Sequence, residues 1–166
     1  MSDPRSRHPQ YEQAKAAAVR LLAGRGRTRA ELQRRLQSRG LAPEAVEQAI
    51  GDLQQAGYID DEQYARDRIE ALLRQSKRGI EALRQALAGD GLPAELAERV
   101  IAEQLEGAQM GEWAREVARE RARRLQGMER EAARRRLYGY LRRRGFSDEE
   151  ARGACDEALP AIDEHY

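Results

Sequence analysis

Leucines stand four residues apart at three places along the chain: Leu32 and Leu36, Leu83 and Leu87, Leu137 and Leu141. At that spacing two side chains share one face of an α-helix. Each pair leads, four residues on, to a glycine (Gly40, Gly91, Gly145) and then to an apolar residue (Leu41, Leu92, Phe146). A glycine just past a helix suits a left-handed cap, free of a Cβ clash. The apolar residue after it is placed to tuck back onto the helix just left. A second helix is then expected. Pro43 and Pro93 suit first-turn positions, and Ser147-x-x-Glu150 reads as a capping box, as does Thr28-x-x-Glu31 further back. These second helices carry Val46, Ala49, Ile50 and Leu53; then Leu96, Val100 and Ile101; then Ala151, Ala154 and Cys155.

A longer periodic stretch precedes each pair. The spacing predicts helices over about 11–23, 61–75 and 111–126. Their buried faces would carry Ala14, Ala18, Leu21 and Leu22; Tyr64, Ile69, Leu72 and Leu73; and Trp113, Val117, Ala118, Ala122 and Leu125. Asp60 is placed to cap the second of these, and Tyr58 and Ile59 before it read as apolar plugs. The three glycines are 51 and 54 residues apart, a repeat that covers most of the chain. The pattern predicts an all-α protein of three tandem three-helix repeats, each resembling helix-turn-helix geometry, in an elongated, curved array whose neighbours touch mainly in order. The repeats are expected at 11–57, 58–106 and 107–159, with a disordered N-terminal tail at 1–10 and a C-terminal tail at 160–166.

Composition supports the helical reading: Ala, Leu, Arg, Glu and Gln, all good helix formers, dominate a chain 40% hydrophobic and 36% charged. No apolar run approaches the 18–20 or so residues of a membrane span. The opening "MSDPRSRHPQ" lacks the apolar core of a secretory signal. One cysteine, Cys155, cannot form an internal disulfide, and two histidines near the ends, His8 and His165, offer no metal cluster. A cytoplasmic monomer without cofactor or metal is expected.

Charge changes the picture more. The net value of +1 conceals a segregation. Residues 1–110 balance at seventeen basic and seventeen acidic; 111–145 hold twelve basic against five acidic; 146–166 hold one against seven. Of the 30 basic residues only Lys15 and Lys77 are not arginine, and arginine suits bidentate contact with phosphate and carboxylate. Arg115, Arg119 and Arg123 recur at i, i+4, i+8 on one helical face. Arg124, Arg130, Arg134, Arg135, Arg136, Arg142, Arg143 and Arg144 continue the supply. Such a field attracts anionic partners, and charge alone serves DNA or an acidic protein surface equally. Pairs such as Glu116–Arg119 and Glu120–Arg124 would lace part of it, and the acidic C-terminal run would neutralise another part.

No catalytic constellation emerges. Asp60 and Asp61 are paired carboxylates without a third ligand or a nearby histidine. "AGRGRT" (23–28) contains a G-x-G, but it lacks a preceding strand and the Gly-Lys-Ser/Thr of a phosphate loop; it reads as a loop exposing Arg25 and Arg27. Cys155 aligns with Ile50 and Ile101 and is a core position. The chain is not expected to be an enzyme.

Several segments resemble the RecX family of bacterial regulators. "LLAGRGRTRAELQRRLQSRGL" (21–41) is similar to the family's opening segment, "DLQQAGYIDDEQYARDRI" (52–69) to its central signature, and "RGIEALRQALAGDGL" and "YLRRRGFSDEEA" to its later repeats. The departures are a "GDGL" middle turn and basic positions that are almost all arginine. The resemblance implies three three-helix repeats and binding to the RecA–DNA filament. It also implies inhibition of strand exchange, ATP hydrolysis and coprotease activity, in regulation of recombination, DNA repair and the SOS response. A stand-alone, sequence-non-specific DNA-binding protein using the basic third repeat is the alternative, with single- or double-stranded DNA as partner. No compact set of family residues transfers. The candidate contacts to RecA or DNA are therefore Arg115, Arg119, Arg123, Arg124, Arg134, Arg135, Arg142, Arg143 and Arg144, with Arg25 and Arg27.

Overall fold

A computed structural model describes residues 8–159. The tail expected at 160–166 and the first seven residues of the one expected at 1–10 lie outside the described residues. Residues 8–10 are tied to the fold: the His8 amide donates to Gln48 Oε1 at 2.9 Å, and Gln10 Oε1 accepts from the Ala42 amide at 2.8 Å.

Nine α-helices, and no strand, form among the described residues: α1 Tyr11–Gly24, α2 Arg29–Gln37, α3 Pro43–Gln55, α4 Asp61–Gln75, α5 Ile80–Gly89, α6 Ala94–Gln104, α7 Met110–Ala122, α8 Arg130–Arg143 and α9 Asp148–Ala158. The start and stop chemistry follows the sequence closely. Gly40, Gly91 and Gly145 adopt φ of 80°, 82° and 85°, the left-handed region where a side chain is disfavoured. Leu41, Leu92 and Phe146 behind them are buried. Ser147 and Glu150 form the reciprocal capping box, and the Asp60 carboxylate accepts from the Gln63 amide at 2.9 Å.

Four expectations are corrected. Thr28 accepts from the Glu31 amide, but the Glu31 carboxylate does not complete the box; it turns instead to nearby arginines. Tyr58 is no plug: its side chain is exposed, and only Ile59 is buried. The helix expected over 111–126 ends at Ala122 and tightens into a 3-10 turn, Arg123–Leu125. Pro93 stands one residue ahead of α6, its carbonyl accepting from the Ala97 amide, whereas Pro43 opens α3 as expected.

The described chain falls into two compact units, residues 8–67 with 87–100 and residues 68–86 with 101–159. The first has a core in which Tyr11, Leu32, Leu36, Val46, Ile50 and Leu53 from α1, α2 and α3 are buried. In the second, Val117, Leu137, Leu141, Phe146, Ala154 and Cys155 from α7, α8 and α9 are buried together. Helices α4, α5 and α6 each contribute a part to both units. Each unit contains one close joint between a turn and a helix start.

In the first unit the α5–α6 turn meets the start of α2. The buried Thr28 hydroxyl donates to the Asp90 carbonyl at 2.7 Å, and a Cβ on Gly91 would lie 2.7 Å from the Ala30 methyl. In the second unit the α8–α9 turn meets the start of α5. The Gly79 amide donates to the Arg144 carbonyl at 2.9 Å and the Glu81 amide to the Gly145 carbonyl at 3.2 Å. Helix starts leave orphan N–H groups and helix ends leave orphan carbonyls; each joint sets a helix end against a helix start. In the second, backbones touch so closely that a Cβ on Gly79 would lie 2.0 Å from the Gly145 oxygen.

Candidate functional site

The arginines divide by what they meet. Three of the first unit gather on one carboxylate: Glu31 Oε1 bonds Arg25 at 2.7 Å, Arg35 at 2.9 Å, and Arg27. Burial pushes the Glu31 carboxyl up, but the guanidiniums, Arg35 foremost, outweigh it and hold the group below its ordinary value. Both loop arginines reach Glu31, but they differ in exposure: Arg25 stays exposed as expected, whereas Arg27 is largely buried and also donates to the Leu21 carbonyl at 2.9 Å.

In the second unit the acidic run of α9 claims the stripe that periodicity singled out. Arg115 and Arg119 both bond Glu157, each at 3.0 Å, and Arg115 also pairs with Glu112. Arg134 pairs with Asp156, whose bond raises the arginine's pKa. The expected Glu116–Arg119 pair does not form: Glu116 takes Lys77, which also lies over the Trp113 ring. Arg124 makes no pair with Glu120. Arg142 donates to the Phe146 carbonyl at 2.6 Å and so braces the α8–α9 turn. Arg123, in the 3-10 turn, is exposed.

Arg130 donates to the Leu159 carbonyl at 3.4 Å, and six further arginines line two depressions beside α7 and α8. One, of about 490 Å³, is lined by Arg121, Arg124, Arg144 and Tyr140, together with Lys77 and Glu120. The Arg121 and Arg144 guanidiniums lie over the Tyr140 ring, 4.8 and 5.5 Å from its centroid. That cation–π arrangement leaves guanidinium edges to donate elsewhere. Arg144 Nε is buried and bonds nothing among the described residues. The second depression is lined by Arg121, Arg135, Arg136, Gly139 and Arg143, so Arg121 borders both. Of the candidates named from sequence, the structure gathers Arg124, Arg135, Arg143 and Arg144 here. It adds Arg121, Arg136, Gly139 and Tyr140. Arg121 lies two positions off the 115–119–123 stripe and so on another face of α7. The usable signal was the i, i+4 series Arg136, Tyr140, Arg144 on α8.

No cluster of His, Cys, Asp and Glu suited to a metal exists among the described residues, and no described helix is long and apolar enough to cross a membrane. Cys155 is buried in the α7–α8–α9 core, and burial pushes its thiol above the ordinary value, the opposite of an activated nucleophile.

Known proteins place the chain. Residues 14–53 match a family model described as RecX, first three-helix domain. The regulatory protein RecX of Trichlorobacter lovleyi is 39% identical over 136 residues, 78% of this chain and 85% of that protein. The regulatory protein RecX of Streptomyces coelicolor is 35% identical over 150 residues, 89% of this chain and 78% of its own length. This chain belongs to the RecX family. The fold agrees: the crystal structure of RecX from Lactobacillus salivarius superposes with a TM-score of 0.75 at 20% identity, over 90% of this chain and 96% of that one. The all-helical RecX architecture and the resemblance read from the sequence are thus both shown, and the RecX relatives are regulatory proteins by name.

Proposed function

We propose that this RecX-family protein is a negative regulator of RecA, binding the RecA–DNA filament as a cytoplasmic monomer and inhibiting its strand exchange, ATPase and coprotease activities. The observation that carries this reading is kinship, at 35–39% identity over most of the chain, with proteins named as RecX regulators. The physical support is a basic face on the 107–159 repeat whose arginines are not consumed by internal pairs. A filament repeats its protomer, so a partner that touches it at several points gains avidity without any one strong contact.

The test is RecA's single-strand-DNA-dependent ATP hydrolysis, titrated with this protein at fixed, moderate salt and excess DNA. Inhibition well below one molecule per RecA protomer supports filament regulation. Inhibition only as the DNA saturates favours the other reading, a stand-alone DNA-binding protein acting by competition for the strand. No inhibition of the matching RecA removes both. Arg135→Glu with Arg143→Glu should weaken inhibition while circular dichroism stays unchanged. Arg142, which braces the α8–α9 turn, is better left intact.

A further inference from the structure

We propose that the α3–α4 turn is a protein-docking surface, on which Tyr58, with Asp60 and Asp61 beside it, takes an arginine or lysine side chain presented by a partner protein. The inference rests on the reading above and deepens it: it names a surface of the first unit whose chemistry suits protein and not a phosphate backbone.

The first argument compares three turns that share one backbone pattern. Behind Gly57, Gly91 and Gly145, all at positive φ, the next amide donates to the carbonyl five positions back. The bonds are Tyr58 to Leu53 at 2.9 Å, Leu92 to Leu87 at 3.1 Å and Phe146 to Leu141 at 3.2 Å. In this motif an apolar residue after the glycine ordinarily packs back onto the helix it has left. Leu92 and Phe146 do so and are buried, whereas Tyr58 is 69% exposed. Ile59, one residue on, fills the core in its place. The fold makes no use of the Tyr58 ring.

The second argument is what other tyrosines of this chain meet. The Tyr11 hydroxyl donates to Asp52 and its ring carries Lys15; the Tyr138 hydroxyl donates to Asp148; the Tyr140 ring meets Arg121 and Arg144. Tyr58 makes no side-chain hydrogen bond and carries no cation over its ring among the described residues. A rigid exposed ring with a polar tip is a recurring anchor at protein interfaces.

The third argument is charge, which selects the partner. Between Arg39 and Arg66 the chain holds six acidic residues and no basic one. Arg29 reaches this stretch from α2, but its guanidinium is bonded to Glu47 and Gln54. Asp60 and Asp61 each accept from a backbone amide, of Gln63 at 2.9 Å and of Arg29 at 2.8 Å. Neither pairs with a cation among the described residues. Carboxylate charge therefore stands within three positions of an open aromatic ring. Phosphates are repelled from such a place. A guanidinium or ammonium group is drawn to the ring face and to the carboxylates together.

The experiment is inhibition of RecA's single-strand-DNA-dependent ATP hydrolysis by the full chain and its variants, read as the half-inhibiting concentration. Tyr58→Ser should raise that concentration roughly tenfold, the loss typical of an interface anchor. Tyr58→Leu should be as weak, and Tyr58→Phe, which returns the ring, should recover most of the loss. Asp60→Asn with Asp61→Asn keeps both amide bonds and removes the charge; inhibition should weaken about fivefold, and less at high salt. Val19→Ser, an exposed apolar residue on α1, should shift it by less than about twofold. Wild-type inhibition by Tyr58→Ser with intact circular dichroism overturns this inference alone. Recovery by Tyr58→Leu equal to that by Tyr58→Phe overturns the cation contact, and stronger inhibition by the double asparagine variant overturns the basic partner. A wild type that sediments as a dimer while Tyr58→Ser sediments as a monomer overturns it in favour of a second copy of this chain. A wild type that does not inhibit at all overturns the reading above, and this inference with it.

Discussion

The two compact units treat arginine in opposite ways. The first turns Arg25, Arg27 and Arg35 onto the Glu31 carboxylate, whose side chain is only 14% exposed. The second keeps Arg121, Arg124 and Arg144 beside one another with an aromatic ring among them and no carboxylate of the described residues bonded. The same residue type therefore serves as scaffold in one place and as available charge in the other. Where an anion is built in, arginine stabilises the fold; where none is bonded, gathered positive charge stays available to an anion. The joints differ as well. The first unit couples through a threonine hydroxyl and a methyl contact, the second through backbone against backbone.

The largest effect should come from breaking the second joint. In Gly145→Ala the new Cβ lies 2.2 Å from the Ala82 nitrogen, at a residue whose φ is +85°. Overpacking and a left-handed alanine together should cost about 3–5 kcal/mol. Gly40→Ala meets nothing within 4 Å and carries only the left-handed penalty, about 1–2 kcal/mol. Equal losses in urea denaturation would show that the joint adds nothing.

Next comes the arginine contrast itself. Glu31→Gln leaves a half-buried guanidinium cluster without its charge partner and should cost about 2 kcal/mol. Arg121→Gln relieves repulsion and should leave the melting temperature unchanged or slightly raised. A lowered melting temperature in Arg121→Gln would make that cluster part of the scaffold too.

The smallest effect is a pH dependence. Hydrogen bonds from Arg99, at 2.8 Å, and from Arg66 lower the partly exposed Glu62 carboxyl to about 2. A depressed folded value contributes stability above the ordinary carboxyl range, near 4.5, and the contribution fades as pH falls toward 2. Glu62→Gln should therefore flatten the loss of melting temperature between pH 5 and 2.5, a window to be read by calorimetry against the wild type. An unchanged slope would assign the acid sensitivity to other carboxylates.

Much of the helical architecture was legible in the chain. The Leu-x-x-x-Leu pairs, the glycines after them and the capping residues act within a turn or two, so their outcome depends on neighbours a few positions away. Local chemistry thus predicted the turns at Gly40, Gly91 and Gly145 and the buried Leu41, Leu92 and Phe146. It also predicted that the acidic end would neutralise part of the arginine stretch, as Asp156 and Glu157 do. The candidate site was less legible. The i, i+4, i+8 stripe of Arg115, Arg119 and Arg123 is the stronger sequence signal, yet two of its three members are spent on Glu157, 42 and 38 residues away.

By itself, the sequence determined most helix starts and stops, which faces carry leucine, and that positive charge concentrates between residues 111 and 145. Tertiary structure decided which of those charges remain available. An arginine is neutralised or left open by the carboxylate that packing brings beside it, and that carboxylate can lie anywhere along the chain. Only the packing of α9 on α7 commits Arg115 and Arg119, and only the approach of α8 to α7 brings Arg121 over the ring that Arg144 meets from four residues away.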